Sequence, residues 1–329
     1  MSSFEHRQAA HCESGVVSAL VSHYGRPLSE PMAFGIASAL AFAYIPFIKL
    51  GGMPLISYRM WPGAIVKGVQ KRLGVRMQRQ TFGSIAAGEA ALDAELDRGR
   101  VVGLQTCIYW LPYVPEQFRF HFNMHNLIVY GREGDDYLVS DPLFETTTRC
   151  SRADMGKARF ARGAMAAKGL MYFPVGGGEN IDLPKLIPQA IRANYRNMMQ
   201  PLFPVIGVRG IHYLGRKIRQ LAKHKDRDRY LPLYLTHIVR MQEEIGSGGA
   251  GFRFIYASFL QESARLLGSA QLADASKALT LAGDEWRRFA LRATKMVRKR
   301  EPLDLDALGD VLDGCAEREA AVWRQLKSI

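Results

Sequence analysis

The chain has 329 residues, 48% of them hydrophobic, which suits about two domains with real cores. Its four cysteines (Cys12, Cys107, Cys150, Cys315) are widely spaced with no CxxC, which argues against a disulfide framework and a zinc site and suits a reducing cytoplasm. The net charge of +13 attracts acidic partners such as nucleic acid, anionic lipid or an acidic carrier protein, and the polar first ten residues do not read as a signal peptide.

The first predicted element is a helix over 12–24, with apolar residues at Val16, Ala19, Leu20 and Tyr24 and a stop at Gly25 and Pro27. Cys12 falls in its first turn. A thiol there faces the positive end of the macrodipole and free backbone N–H groups, which suits a nucleophile. On this stretch alone, a small buried cysteine that starts a helix is the plainer reading. Ser29 is the predicted N-cap of the next segment, with Glu30 and Pro31 in its first turn. Residues 31–48 carry no charge. They are too short and too interrupted (Gly35, Ser38, Pro46) to span a bilayer, and read as a buried helix with an irregular end that lines an apolar pocket. Residues 53–63 are turn-rich. A helix over 64–73, a short strand over 75–81, a helix over 84–98 and a β-rich run over 101–110 follow. Cys107 lies in that run and reads as core.

Residues 120–130 (FHFNMHNLIVY) read as strand, with His121, Asn123 and His125 on one face. A turn at 132–135 leads to a second strand that ends at Asp141-Pro142. His125 and Asp141 are equidistant from Glu133. A hairpin without a bulge therefore sets them opposite each other, with Cβ atoms about 4.5–5.5 Å apart. A helix-start cysteine and a paired histidine and aspartate are the parts of nucleophilic catalysis: the base deprotonates the thiol and the acid orients the imidazole.

Gly176-Gly177-Gly178 reads as a linker into a helix-rich half, with helices predicted over 183–199, 211–223, 230–245, 251–267, 271–294 and 303–327. Residues 185–240 hold twelve Lys/Arg against two Asp, a net of +10 that exceeds what solubility needs. Residues 246–251 (GSGGAG) match GxGxxG, but they join two helices rather than a strand and a helix. They therefore read as a close helix approach or a domain contact, not a dinucleotide site. No metal-ligand spacing is present.

The N-terminal stretch resembles the family named for butirosin biosynthesis protein H, through His11-Cys12, His23-Tyr24-Gly25, Leu28-Ser29-Glu30 and Phe34-Gly35, and further on through His121-Phe122, His125 and Asp141-Pro142. The second half, through 246–264 and Trp286, resembles the uncharacterised helical domain that often follows in such proteins. The resemblance implies an α+β chain: a papain-like, leader-peptidase-like domain over 1–176 and a basic, mainly helical domain over 177–329. It implies transfer rather than hydrolysis, with Cys12 as nucleophile, His125 as base and Asp141 as its orienter. Papain-like sites place an oxyanion-hole glutamine about six residues before the cysteine, whereas Gln8 lies four before. The backbone N–H of Cys12 can supply part of the hole.

The expected function is an acyl- or aminoacyltransferase. An acyl group passes from the phosphopantetheine thioester of an acidic acyl carrier protein, or from acyl-CoA, through a Cys12 thioester onto an amine acceptor. The enzyme itself binds no cofactor or metal. Phe34, Phe42, Tyr44 and Tyr58 are candidates for the acyl pocket, and Arg216, Lys217 and Arg219 for carrier docking. Two other readings stand beside it: a cysteine peptidase or amidase of the same fold, and a non-enzymatic basic module for nucleic acid or anionic membrane. The transferase reading expects no nucleic acid and leaves room for peripheral membrane contact.

Overall fold

The computed structural model describes residues 4–224 and 226–329. In chain order, α1 (Cys12–His23) and α2 (Glu30–Ile36) precede a hairpin of β1 (Leu40–Leu50) and β2 (Met53–Arg59). Next come α3 (Ala64–Leu73), β3 (Val75–Gln80), α4 (Ile85–Asp97), β4 (Val102–Thr106), β5 (His125–Glu133), β6 (Asp136–Ser140), β7 (Thr148–Ser151), α5 (Arg152–Phe160) and β8 (Met171–Gly177). Six helices follow: α6 (Leu183–Met199), α7 (Gly207–Gln220), α8 (Arg227–Glu243), α9 (Arg253–Leu267), α10 (Ala270–Val297) and α11 (Leu305–Gln325).

The fold is α+β, and the chain divides into two compact units. The first comprises the residues up to Ala33 together with Pro62–Ile181; the second comprises Phe34–Trp61 and Asp182–Ile329. The boundary after the glycines thus lies at 181/182 rather than 176/177, because Gly176 and Gly177 end strand β8 instead of forming a linker. The second unit also takes in an N-terminal segment, Phe34–Trp61.

That segment is the main departure from the expected secondary structure. The helix expected over 31–48 stops at Ile36, and Ser38 sits at φ +52. The apolar run then continues as β1 and folds back onto β2. An uncharged run cannot be assigned to helix or strand by periodicity alone. Gly51 (φ +57) and Gly52 (φ +83) decide it: a two-residue turn with both central residues left-handed matches the twist of a hairpin. Residues 53–59, expected as turn, are the returning strand and bury every second side chain.

The first unit is built on a six-stranded antiparallel sheet in the order β3-β8-β4-β5-β6-β7. Along β4, Gly103 faces Leu20 of α1, whereas Val102 and Leu104 pack with Leu92 of α4 and Met155 of α5. The sheet therefore carries α1 on one face and α4 and α5 on the other. The second unit packs α10 against α8, α9 and α11, and lays α7 along α11 and β1. Among the described residues no helix is long and apolar enough to cross a membrane.

Candidate active site

Every residue of His11-Cys12-Glu13-Ser14-Gly15 has a physical task at the start of α1. Cys12 is the first residue of α1, with His11 in extended backbone before it. Glu30 holds that bend from outside: its carboxylate accepts from Ala10 N (2.9 Å), His11 N (2.8 Å) and Ser14 Oγ (2.9 Å). Burial pushes the Glu30 pKa up, partly offset by those three donors. Glu13 turns the other way and is 2% exposed. It accepts from Gly63 N, Ile65 N and Val66 N, capping the N-terminus of α3. Gly15 lies where a Cβ would come within 2.6 Å of Ala9 and 2.8 Å of Pro142, so the first turn of α1 presses directly on the Asp141-Pro142 corner.

The histidine and aspartate meet by a route other than the one predicted. The turn closes between Glu133 and Asp136, and a bulge falls between Val129 and Gly131. Beyond it Ile128 faces Ser140, so continuing the register sets Asp141 opposite Leu127 rather than His125. The two side chains bridge this two-residue offset diagonally, and His125 Nε2 lies 2.6 Å from Asp141 Oδ2. A long side chain spans such a diagonal readily. The remaining ring nitrogen, Nδ1, is the one left for the thiol, and His125 is hydrogen-bonded to Cys12.

Asp141 is fully buried and further held by Tyr113, whose hydroxyl donates to Oδ2 (3.0 Å), and by Leu143 N, which donates to Oδ1 (3.1 Å). Burial and the adjacent carboxylate push the Tyr113 pKa well up, so the phenol stays a neutral donor. Burial alone would lower the His125 pKa. The Asp141 charge and hydrogen bond, with a contribution from Cys12, overcome it and raise it to about 10. The arrangement can therefore hold an imidazolium beside a sulfur.

A further side chain reaches the sulfur. Asn126 Nδ2 lies 3.9 Å from Cys12 Sγ and donates to Met124 O (3.0 Å), while Asn126 Oδ1 accepts from Tyr172 OH (2.8 Å). The tyrosine fixes which end of the amide faces the thiol. Gln8 is exposed, and its neighbour Ala9, tied by its N–H to Pro142 O (2.7 Å), packs on α1. Glu13, Tyr113, Asn126 and Tyr172 were not singled out from sequence, though Asn126 lies beside His125; Glu30 entered only as a first-turn residue and as part of the family pattern.

The other expected positions lie elsewhere. Phe34, Phe42, Tyr44 and Tyr58 belong to the second unit and are core rather than pocket lining. Phe34 stacks on Phe252 at 5.4 Å, Phe42 and Tyr58 pack against Trp286, and Tyr234 OH donates to Tyr44 OH (2.7 Å). Once 40–50 becomes a strand, its alternate side chains turn into that core. Arg219 is tied to Asp310 (2.6 Å) and Asp313 (2.7 Å) of α11, which removes it from a docking face. Arg216 is exposed, and it and Lys217 both lie over the Tyr213 ring. His121 stacks on Tyr109 at 4.1 Å, and neither it nor Asn123 lies on β5, which begins at His125.

A cysteine at a helix N-terminus thus packs on an antiparallel sheet whose strand supplies a histidine held by a buried acid, the arrangement expected of a papain-like fold. Residues 11–142 match the family model "Butirosin biosynthesis protein H, N-terminal", and residues 153–326 match "Domain of unknown function (DUF4872)". The chain belongs to the family that carries this second domain, with a butirosin biosynthesis protein H-like N-terminal part. A crystal structure described as a C39-like peptidase from Bacillus anthracis is similar at 14% identity and a TM-score of 0.39, covering 54% of this chain and 96% of that one. No curated protein matches the chain.

Proposed function

We propose that the protein is a cysteine-dependent acyltransferase that moves an acyl group from a carrier-protein or coenzyme A thioester onto an amine, in biosynthesis. The observation that supports it is the hydrogen-bonded series of Cys12, His125 and Asp141. The Cys12 sulfur attacks the carbonyl carbon of the donor thioester. The donor C–S bond breaks, and the departing phosphopantetheine thiolate takes the proton from His125. The amine then attacks the Cys12 thioester and gives a proton back to His125; the C–S bond to Cys12 breaks and an amide is released. Asp141 orients the imidazole throughout. The backbone N–H of Cys12 and Nδ2 of Asn126 are the donors for the tetrahedral oxyanion.

Transfer needs water kept out more than it needs a strong base, because one thioester is exchanged for another. Cys12 is 6% exposed, and His125 and Asp141 less still, which suits that demand. The match to a biosynthetic family model favours transfer over proteolysis. Arg216 and Lys217 are the docking residues for an acidic carrier, and the chain works in the cytoplasm.

Mixing the protein with an acyl-loaded carrier and weighing it intact tests this reading. Wild type gains the mass of the acyl group, and Cys12→Ala gains nothing. A wild type that never acquires the group, or that instead cleaves peptides in a Cys12-dependent way, makes the chain a peptidase or amidase.

A further inference from the structure

Scattered exposed apolar side chains are ordinary on a soluble protein. In the second unit four of them fall on a hairpin and a loop held side by side. Phe47 (78% exposed) and Ile48 (43%) sit at the tip of the β1–β2 hairpin, and Leu202 (93%) and Phe203 (61%) lie in the loop before α7. The two are joined where Ala43 bridges Ile206 and Tyr44 N donates to Val205 O (2.9 Å). That bridge is antiparallel, so the chain after Tyr44 and the chain before Val205 leave it in the same direction. Both apolar pairs therefore project toward the hairpin tip.

The two chain segments that carry them are of one sign. Residues 34–61 contain no Asp or Glu, and neither do residues 183–225. Lys49 follows Ile48 and is exposed. Arg209, also exposed, donates to the carbonyl of Pro201, the residue before Leu202. We infer that the hairpin tip and the 201–204 loop form a docking surface for an anionic membrane. Phe47, Ile48, Leu202 and Phe203 enter the boundary between headgroups and acyl chains, and Lys49 and Arg209 meet the lipid phosphates. Projecting apolar tips flanked by exposed cations suit an interface whose partner is soft and negatively charged. This surface belongs to the second unit and does not depend on the reaction proposed for Cys12.

Co-sedimentation of the full chain with phosphatidylcholine vesicles, with and without phosphatidylglycerol, tests it. Binding is expected to the anionic vesicles and to weaken with added salt. The double variant Phe47→Ser/Leu202→Ser lowers that affinity about tenfold or more, and Lys49→Ala/Arg209→Ala lowers it several-fold. Both pairs are exposed, so thermal unfolding and Cys12 acylation stay as in wild type. Failure to bind anionic vesicles, or undiminished binding by Phe47→Ser/Leu202→Ser, overturns the inference. A dimer in solution that this variant dissolves would assign the patch to a second copy of the chain instead.

Discussion

Among the described residues each unit buries one ion pair, and the two pairs do different things. In the first, His125 and Asp141 meet 2.6 Å apart, with a thiol on the far side of the imidazole. In the second, Arg253 and Glu319 are both fully buried. The guanidinium donates through Nε (2.9 Å) and Nη2 (3.2 Å), while Trp286 Nε1 donates to the same carboxylate (2.6 Å). Arg253 also lies over the rings of Tyr58 and Trp286. A guanidinium keeps its proton in proteins, whereas an imidazole exchanges it. The Arg253 pair can only hold α9 against α11; the His125 pair can hold and also transfer. Burial alone does not mark a functional site. The proton-exchanging partner and its reactive neighbour do.

Removing one partner from each pair gives the largest effects and should separate them. Glu319→Ala strands a buried cation and is expected to cost about 3–5 kcal/mol of stability, read by denaturant unfolding, while molecules that remain folded still acylate Cys12. His125→Ala is expected to cost about 10²–10⁴-fold in acylation rate in single-turnover mass spectrometry. Unchanged acylation in His125→Ala would remove the assigned base.

Gly15→Val pushes α1 from Ala9 and Pro142, and so moves Cys12 relative to Asp141. A displacement of this order is expected to slow acylation about 10²-fold, more than it shifts unfolding. The pairs should also part with pH. The His125 pKa is raised in the folded chain, to about 10, so its contribution to stability is complete below the unfolded value of about 6.5 and is lost as pH rises through about 10. Unfolding followed across that window should show a falling stability that His125→Gln flattens and Glu319→Gln leaves in place. The smallest effect is expected from Tyr172→Phe. It frees the Asn126 amide to flip and slows acylation about five- to tenfold at unchanged KM; an unaltered rate would separate Asn126 from the oxyanion.

The residue kinds at the candidate site were legible in the chain itself. Cys12 at a helix start follows from the 3.6-residue recurrence behind it, and the histidine-to-aspartate spacing of 16 survives even though the hairpin register does not. The helical second half was readable for the same reason, since long amphipathic runs carry a strong period. Only the tertiary structure decided the rest. Whether residues 40–50 became helix or strand turned on a two-glycine turn and on which unit could bury the run, and that moved Phe42, Tyr44 and Tyr58 out of the expected pocket. Glu30, Tyr113, Asn126 and Tyr172 act through contacts made across elements, and such contacts leave no local period in the sequence. The helix-start cysteine is a property of neighbouring residues along the chain, whereas the ring of groups that positions it is a property of packing.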